Sequence, residues 1–204
     1  MVANLISGLR RFKSQVVPAK QELFDELATG QNPPTLFITC ADSRVDPSLI
    51  TQSEPGSIFV VRNAGNIVPR LEADGTSPDG NAGSIEYALN ALNVSNVVIC
   101  GHSGCGAMSG LQHLDEIASA LPSARRWLEH AESLLDTPAA SDLDALIEAN
   151  VLLQLEHLKT YPGVQAKLDA SEITLHGWVY DIGSGDVVAH DGSSFTSLID
   201  GFNK

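Results

Sequence analysis

The feature that most constrains the fold is a short apolar run at residues 35–39 that leads into the sequence Cys-Ala-Asp-Ser-Arg at residues 40–44. The run is rich in strand-forming residues and follows two prolines, which is typical of a strand with a defined start. A thiol, a carboxylate and a guanidinium therefore leave the C-terminal end of one strand together. In open α/β sheets, ligands bind at that end of the strands. The sequence thus predicts an α/β fold with functional residues at the carboxyl edge of its sheet.

A second apolar run, residues 97–100, leads into Gly-His-Ser-Gly-Cys-Gly at residues 101–106. It places His102 and Cys105 three residues apart, again at the end of a strand. Together with Cys40 they supply two thiols and one imidazole, a donor set that suits zinc (Zn2+). Three protein ligands leave one coordination position open, which is typical of a catalytic zinc site. The sequence therefore predicts a zinc site at Cys40, His102 and Cys105.

Asp42 has two interpretations at this site. It lies two residues after Cys40, close enough to fill the fourth coordination position or to stand beside it. Arg44 lies two residues further on, where it can hold Asp42 in an ion pair instead. The third cysteine, Cys100, lies inside an apolar strand and is interpreted as a buried core thiol.

The pattern Cys-x-Asp-x-Arg followed by His-x-x-Cys resembles the β-class carbonic anhydrases, and the resemblance covers roughly residues 25 to 195. It implies reversible hydration of carbon dioxide to bicarbonate and a proton by zinc-bound hydroxide. Asp42 and Arg44 would be catalytic, with Asp42 becoming a fourth zinc ligand in a closed state. Zinc lowers the pKa of bound water, but two thiolates weaken it as a Lewis acid. We therefore expect activity that increases at alkaline pH.

The resemblance also implies a substrate pocket. Gln31, nine residues before Cys40, and Tyr87, fifteen residues before His102, match pocket positions of the family. Phe59 matches a phenylalanine that commonly lines the active site of the partner subunit. Ala64 matches a position where plant-type relatives carry a larger aliphatic residue. These matches predict a homodimer, or a higher oligomer built from dimers, as the functional unit.

Composition limits the remaining possibilities. The 204 residues, 43% of them hydrophobic, suffice for a single domain over residues 1–204, with residues 1–28 as an N-terminal helical arm. A net charge of −13 without a basic cluster argues against nucleic acid or an anionic membrane as a partner. No apolar run approaches the ~20 residues that span a bilayer. The N-terminal basic residues follow the apolar ones, the reverse of a signal peptide, so we expect a cytoplasmic protein, with a microcompartment or organelle left open.

The predicted architecture is a short, largely parallel β-sheet flanked by helices, with the N-terminal arm and a C-terminal edge hairpin over residues 173–190. A long amphipathic helix should begin after Ser141 as its N-cap and extend to Leu158. His113, His130 and His157 are predicted on solvated helix faces. Residues 195–202 are predicted to form a short helix.

Other functions remain open from the sequence. The same fold and ligand set could hydrolyse carbon disulfide or carbonyl sulfide, as some members of the family do. A zinc-stabilised module without turnover would use Asp42 as a fourth, permanent ligand. A thiol hydrolase using Cys40 and His102 would leave Cys105 unexplained. Arg62 is interpreted as a structural or interface residue, because Phe37 stands where relatives with an inhibitory bicarbonate site carry tryptophan.

Overall fold

The computed structural model describes residues 2–71, 75–77 and 79–201. By its internal contacts the chain divides into two compact units, Met1–Asn32 and Pro33–Lys204. The described part of the first unit is helical and includes an edge-to-face pair of Phe12 and Phe24, with ring centroids 5.7 Å apart. Its elements are α1 (Val2–Arg11), a π-helical turn (Phe12–Val16), α2 (Val17–Ala19) and α3 (Gln21–Leu27).

The second unit is built on one sheet. Its strands are β1 (Thr35–Cys40), β2 (Ile58–Asn63), β3 (Asn96–His102), β4 (Thr174–Tyr180), β5 (Val187–His190) and β6 (Phe195–Ser197). Their order is β2-β1-β3-β4-β5-β6. The first four strands in that order pair in parallel, and β5 and β6 add to the edge antiparallel. The largely parallel sheet and the C-terminal hairpin are thus confirmed.

Helices flank this sheet, as predicted. They are α4 (Pro47–Thr51), α5 (Gly80–Asn90), α6 (Gly106–Gln112), α7 (Leu114–Ile117), α8 (Pro122–Leu128), two 3-10 segments (Glu129–Asp136 and Pro138–Ser141), α9 (Leu143–Lys159), α10 (Val164–Asp169) and α11 (Leu198–Gly201). Within the part of the chain that the structure describes, no helix combines the length and apolar character that crossing a membrane requires.

Two details of the predicted secondary structure are wrong. The N-cap of α9 is Asp142, whose carboxylate accepts a hydrogen bond from the Ala145 amide at 2.8 Å, and not Ser141. Both residue types cap helices well, so the sequence alone does not separate neighbours. Residues Phe195–Ser197 form β6 rather than the start of a helix, because they pair with the exposed edge of β5.

Helix α9 packs closely against the sheet at two glycines. A Cβ atom on Gly101 of β3 would lie 2.9 Å from Val151 Cγ2, and one on Gly177 of β4 would lie 2.9 Å from Val151 Cγ1. Real Cβ atoms do not approach that closely, so glycine in both strands allows the helix to reach the sheet. This contact holds α9 against the strand that ends in His102.

Candidate metal centre

The topology brings the two predicted ligand turns together. Strands β1 and β3 are parallel neighbours, with Thr39 opposite Cys100. Cys40 therefore ends one strand beside His102, which ends the other, and Cys105 caps the start of α6. The donor atoms of Cys40, His102 and Cys105 all lie within 4.8 Å of one another, and all three residues are buried.

The histidine of this group is oriented for coordination. His102 Nδ1 lies 3.0 Å from the carbonyl oxygen of Ser103, which can only accept, so Nδ1 carries the proton. Nε2 then presents a lone pair towards the thiols. This atom is buried and has no hydrogen-bond partner in the described structure. Buried polar atoms are rarely left without a partner, and a metal ion held by the two thiols and Nε2 would supply one. The donor set and this orphaned atom fit zinc.

The pair of Cys40 and Cys105 loses one proton readily, and the resulting negative charge is stabilised by hydrogen bonds. The hydrogen bond from Cys105 is the main cause that lowers the pKa of Cys40 to about 4, and the amide of Gly65 contributes by donating to Cys40 Sγ at 3.4 Å. The same shared hydrogen bond, together with burial, raises the pKa of Cys105. Because metal binding requires thiolates, it replaces the proton that the pair shares.

The carboxylate of Asp42 is paired with Arg44 beside the three donors. Arg44 Nε donates to Asp42 Oδ1 at 2.9 Å, and Nη2 donates to Oδ2 at 2.8 Å. This side-chain pairing, with a further bond from the Arg44 amide, holds the pKa of Asp42 well below its usual range. Asp42 Oδ2 nevertheless stays 3.9 Å from His102 Nε2. The carboxylate thus stands ionised beside the donor group.

Two arginines link the turns around the site. Arg44 Nη2 also donates to the carbonyl of Gly104 at 3.1 Å, which connects the turn after β1 with the turn after β3. Arg62 Nε and Nη2 donate to the carbonyl oxygens of Cys40 and Asp42, at 3.1 and 2.7 Å. Arg62 therefore braces the ligand turn, in agreement with its structural interpretation.

The predicted pocket residues are spread over the fold. Ala64 is exposed and precedes Gly65, the residue that contacts Cys40. Phe59 lies on β2 and pairs with Leu36 of β1, four positions before Asn63, the residue that pairs with Cys40. At ~3.3 Å per strand residue, Phe59 is ~13 Å from that end of the sheet.

Two of the four pocket residues form a pair of their own. The rings of Phe59 and Tyr87 have centroids 6.0 Å apart, and Tyr87 is 48% exposed. The fold therefore places this aromatic pair away from the metal donors of its own chain. Gln31 is an exposed residue of the first unit, and its predicted role stays a prediction.

Helix α9 has a buried polar face that the sequence pattern did not predict. Asn150, Gln154 and His157 are each at most 2% exposed, although the helix was predicted to be apolar on its inner side. The prediction that His157 is solvated is wrong. Its Nδ1 lies 2.9 Å from the carbonyl of Val68, and its Nε2 accepts from Arg70 Nε at 3.2 Å. His113 is exposed, as predicted, and lies 3.4 Å from Glu116.

The sequence is similar to those of known proteins over most of its length. The family model described as carbonic anhydrase matches residues 35–187. The chain is 46% identical to a carbonic anhydrase of Pseudomonas aeruginosa over 207 residues, which covers 96% of this chain and 91% of the relative. It is equally identical to a carbonic anhydrase of Synechococcus elongatus over 193 residues, covering 91% of this chain and 70% of the relative.

Solved structures agree with these sequence matches. The structure of the β-carbonic anhydrase CcaA superposes with a TM-score of 0.89 at 41% identity, covering 96% of this chain and 91% of that one. A tetrameric β-carbonic anhydrase of Sordaria macrospora superposes with a TM-score of 0.72 at 28% identity, covering 96% of this chain and 98% of that one.

Proposed function

Because the chain belongs to the β-class carbonic anhydrases, enzymes whose general reaction is the hydration of carbon dioxide, we propose that it performs this reaction at a Zn2+ ion held by Cys40, His102 and Cys105. One observation carries the proposal. Two thiols and an unpartnered imidazole nitrogen converge within 4.8 Å, while the neighbouring carboxylate is held aside by Arg44. This arrangement leaves a coordination position for water.

Zinc at this site would lower the pKa of a coordinated water molecule and so supply hydroxide near neutral pH. Cys40 and Cys105 moderate that effect, because two thiolates bring two negative charges where a three-histidine site brings none. We therefore expect the hydration rate to increase towards alkaline pH.

Asp42 would orient the hydroxide that such a site supplies. Its carboxylate stays ionised because Arg44 holds its pKa far below the usual range. Oδ2, which faces His102 Nε2, can accept the proton of the hydroxide in a hydrogen bond and so direct an oxygen lone pair at the carbon of carbon dioxide. With zinc bound, the site would supply the hydroxide that adds to carbon dioxide to give bicarbonate, and Asp42 and Arg44 would hold its orientation. The proton that the water loses would not stay on Asp42, because Arg44 holds the pKa of this carboxyl well below its usual range.

Arg44 keeps the site in its open state. In the closed alternative, Asp42 would be a fourth ligand, and both hydrogen bonds from the guanidinium would have to break. Arg44 is also anchored to Gly104, on the other ligand turn. These contacts favour a working enzyme over a permanently closed, zinc-stabilised module.

A second copy of the chain completes the substrate pocket in this proposal. Phe59 and Tyr87 form a partly exposed pair that lies far from the donors of their own chain. In the dimer that we propose, Phe59 and Tyr87 would line the other subunit's pocket together with Ala64, and Gln31 would add an amide donor. The unit would then be a homodimer or a dimer-based higher oligomer. A reducing compartment such as the cytoplasm, or an organelle or microcompartment, suits the three free cysteines.

Stopped-flow hydration of carbon dioxide tests the proposal, from about pH 6.5 to about pH 9. The zinc content of the same sample is determined alongside. We expect about one zinc per chain and a rate that increases with pH. Full zinc without hydration anywhere in that range would contradict the proposal. The same sample is assayed with carbon disulfide and carbonyl sulfide, and turnover of these alone would assign the sulfur-containing substrate.

A further inference from the structure

The segment 64–70, which follows β2, has no regular secondary structure, yet residues 65–69 are buried. Buried backbone polar groups need hydrogen-bond partners, and side chains of α9 and its C-terminal end supply them. Asn150 contacts the backbone of Gly65, Gln154 and His157 contact that of Val68, and Tyr161 contacts that of Pro69. The segment is therefore held by a helix more than eighty residues further along the chain.

Part of this contact is a relay of hydrogen bonds that reaches Gly65, the residue whose amide contacts a metal donor. The Val68 amide donates to Gln154 Oε1 at 2.8 Å, and Gln154 Nε2 donates to Asn150 Oδ1 at 2.9 Å. Asn150 Nδ2 donates to the Gly65 carbonyl at 2.9 Å, and the Gly65 amide donates to Cys40 Sγ at 3.4 Å. A backbone amide can only donate and a carbonyl can only accept, so both side-chain amides have one possible orientation.

Gly65 itself has no alternative at this position. Its φ is +83°, and a Cβ atom would lie 3.0 Å from Met108 Cε and 3.1 Å from Ala107 Cβ. Only glycine combines this conformation with such close approach to α6. Since the residue that contacts Cys40 has no side chain, its orientation depends on what holds its peptide groups. Trp127 Nε1 holds the Ala64 carbonyl, which shares a peptide group with the Gly65 N–H, at 2.8 Å. Asn150 holds the Gly65 carbonyl on the other side of the Gly65 Cα, and Gln154 holds Asn150.

We propose that Asn150 and Gln154 are positioning residues of the metal centre, which hold the Gly65 backbone from its carbonyl side so that the Gly65 N–H remains on the Cys40 sulfur. The inference rests on the proposed function for the identity of the metal site. An N–H donor withdraws electron density from a thiolate, so it limits how much charge the sulfur passes to the metal. Outer partners of metal ligands commonly alter metal affinity or activity by about 10- to 100-fold. Gly65 is such a partner, and the relay holds it in place.

The test replaces Asn150 with leucine, which is close in shape but cannot hydrogen-bond. We expect Asn150→Leu to lower kcat about tenfold, the small end of the range for outer partners, with little change in KM. In the cobalt-substituted protein, the sulfur-to-metal charge-transfer band should shift to longer wavelength, because the thiolate becomes more electron-rich. Gln154→Met breaks the relay one step further away, and we expect the same changes at smaller size.

Tyr161→Phe is the matched control. It also removes one buried hydrogen bond to the same segment, at the Pro69 carbonyl, but it lies outside the relay. We expect it to lower Tm by a few degrees, as the relay variants do. Its cobalt spectrum and kcat should remain at the wild-type values.

The possible results distinguish an effect on the bound metal from a purely structural role. A cobalt spectrum of Asn150→Leu that equals those of wild type and Tyr161→Phe would overturn the proposal and leave a purely structural role. If Asn150→Leu does not fold, Gln154→Met decides by the same spectrum. If the wild-type enzyme hydrates no carbon dioxide, the proposed function fails, but the spectra still show whether the relay acts on the bound metal.

Discussion

Two pairs of polar side chains lie near the proposed metal site, and they differ in exposure and in distance from Cys40 along the sequence. Asp42 and Arg44 follow it within four residues, and the Arg44 side chain is 52% exposed. Asn150 and Gln154 lie on α9 and are 1% and 0% exposed. In our proposals the first pair acts beside the reacting hydroxide, and the second supports the Cys40 ligand from the core. The comparison predicts that the exposed pair affects rate alone, whereas the buried face of α9 affects stability as well.

We expect the largest effect from the loss of a metal ligand. We expect Cys105→Ala to reduce zinc from about one ion per chain to almost none, because two remaining donors do not complete a site. Carbon dioxide hydration should fall to background. Metal analysis after gel filtration and stopped-flow assay check both.

Cys100→Ala is the control for this variant. Cys100 is also buried, but its thiol donates to the Gly101 carbonyl and is not among the metal donors. It should keep full zinc and activity, and lose about 1 kcal/mol of stability from the small cavity. If Cys105→Ala bound zinc as well as Cys100→Ala does, the assigned ligand set would be wrong.

Next in size is Asp42→Asn. We expect the hydration rate to fall at least about 100-fold, the lower range for loss of a positioned acid or base group. Asparagine is neutral, so it is a weaker acceptor for the hydroxide and no longer forms an ion pair with Arg44. Zinc content should not change, and the unfolding free energy should change by no more than ~1 kcal/mol, because the pair is near the surface.

The matched control is Asp191→Asn, which makes the same change at an exposed carboxylate. Asp191 also accepts backbone amides, from Ser193 and Ser194, and its pKa is lowered to about 2 by those hydrogen bonds. It lies in the turn between β5 and β6, so its activity should equal that of wild type. A similar loss in both variants would show that Asp42 acts through general electrostatics rather than orientation.

His157 lies on the buried polar face of α9, where we expect a substitution to change stability. His157→Phe leaves the Val68 carbonyl and Arg70 Nε without their partner, and we expect a loss of about 1–3 kcal/mol at pH 7.5. Burial lowers the pKa of His157, an effect that the hydrogen bond to Val68 only partly offsets. The folded state therefore binds a proton less readily than the unfolded state.

The lowered pKa of His157 determines how its contribution to stability depends on pH. The contribution of His157 to stability is complete above its unfolded pKa of 6.5 and is lost as pH falls below that value towards the lower folded pKa. The difference in unfolding free energy between wild type and His157→Phe should thus shrink between about pH 7.5 and about pH 5.5. Urea unfolding at fixed protein and zinc concentrations measures it. Tyr161→Phe should show a constant difference, and a constant difference for His157→Phe would refute the argument.

The same division separates the residues that the sequence could predict from those that it could not. Cys40, Asp42 and Arg44 form a local pattern after an apolar run, and His102 and Cys105 form another. A parallel sheet brings such strand ends together, so the donor group could be predicted before its geometry was known. The mostly parallel sheet could be predicted from the same apolar runs.

The polar face of α9 could not be predicted in this way. Asn150, Gln154 and His157 recur every three or four residues among apolar positions, and on a helix that spacing describes a face without stating what covers it. Their partners are backbone groups of an irregular segment, and no pattern of side chains in the sequence predicts such partners. His157 also lies beside Glu156 and near Lys159, which made a solvated position the simpler interpretation.

The smallest effect that we predict concerns the N-cap of α9, which lies outside the relay of hydrogen bonds. Asp142→Ala removes the N-cap hydrogen bond to Ala145 and should cost about 1 kcal/mol, or a Tm decrease of about 2–4 °C. The control, Asp144→Ala, removes the same charge from the first turn of the helix without a capping bond, and should cost less. Neither change reaches Asn150, two turns further along, where close packing at Gly101 and Gly177 holds the helix. We therefore expect the cobalt spectrum and kcat of both variants to equal those of wild type. A spectral shift in Asp142→Ala would mean that fraying of the helix end is transmitted to Cys40, and that stability and chemistry are less separate than the two sets of residues suggest.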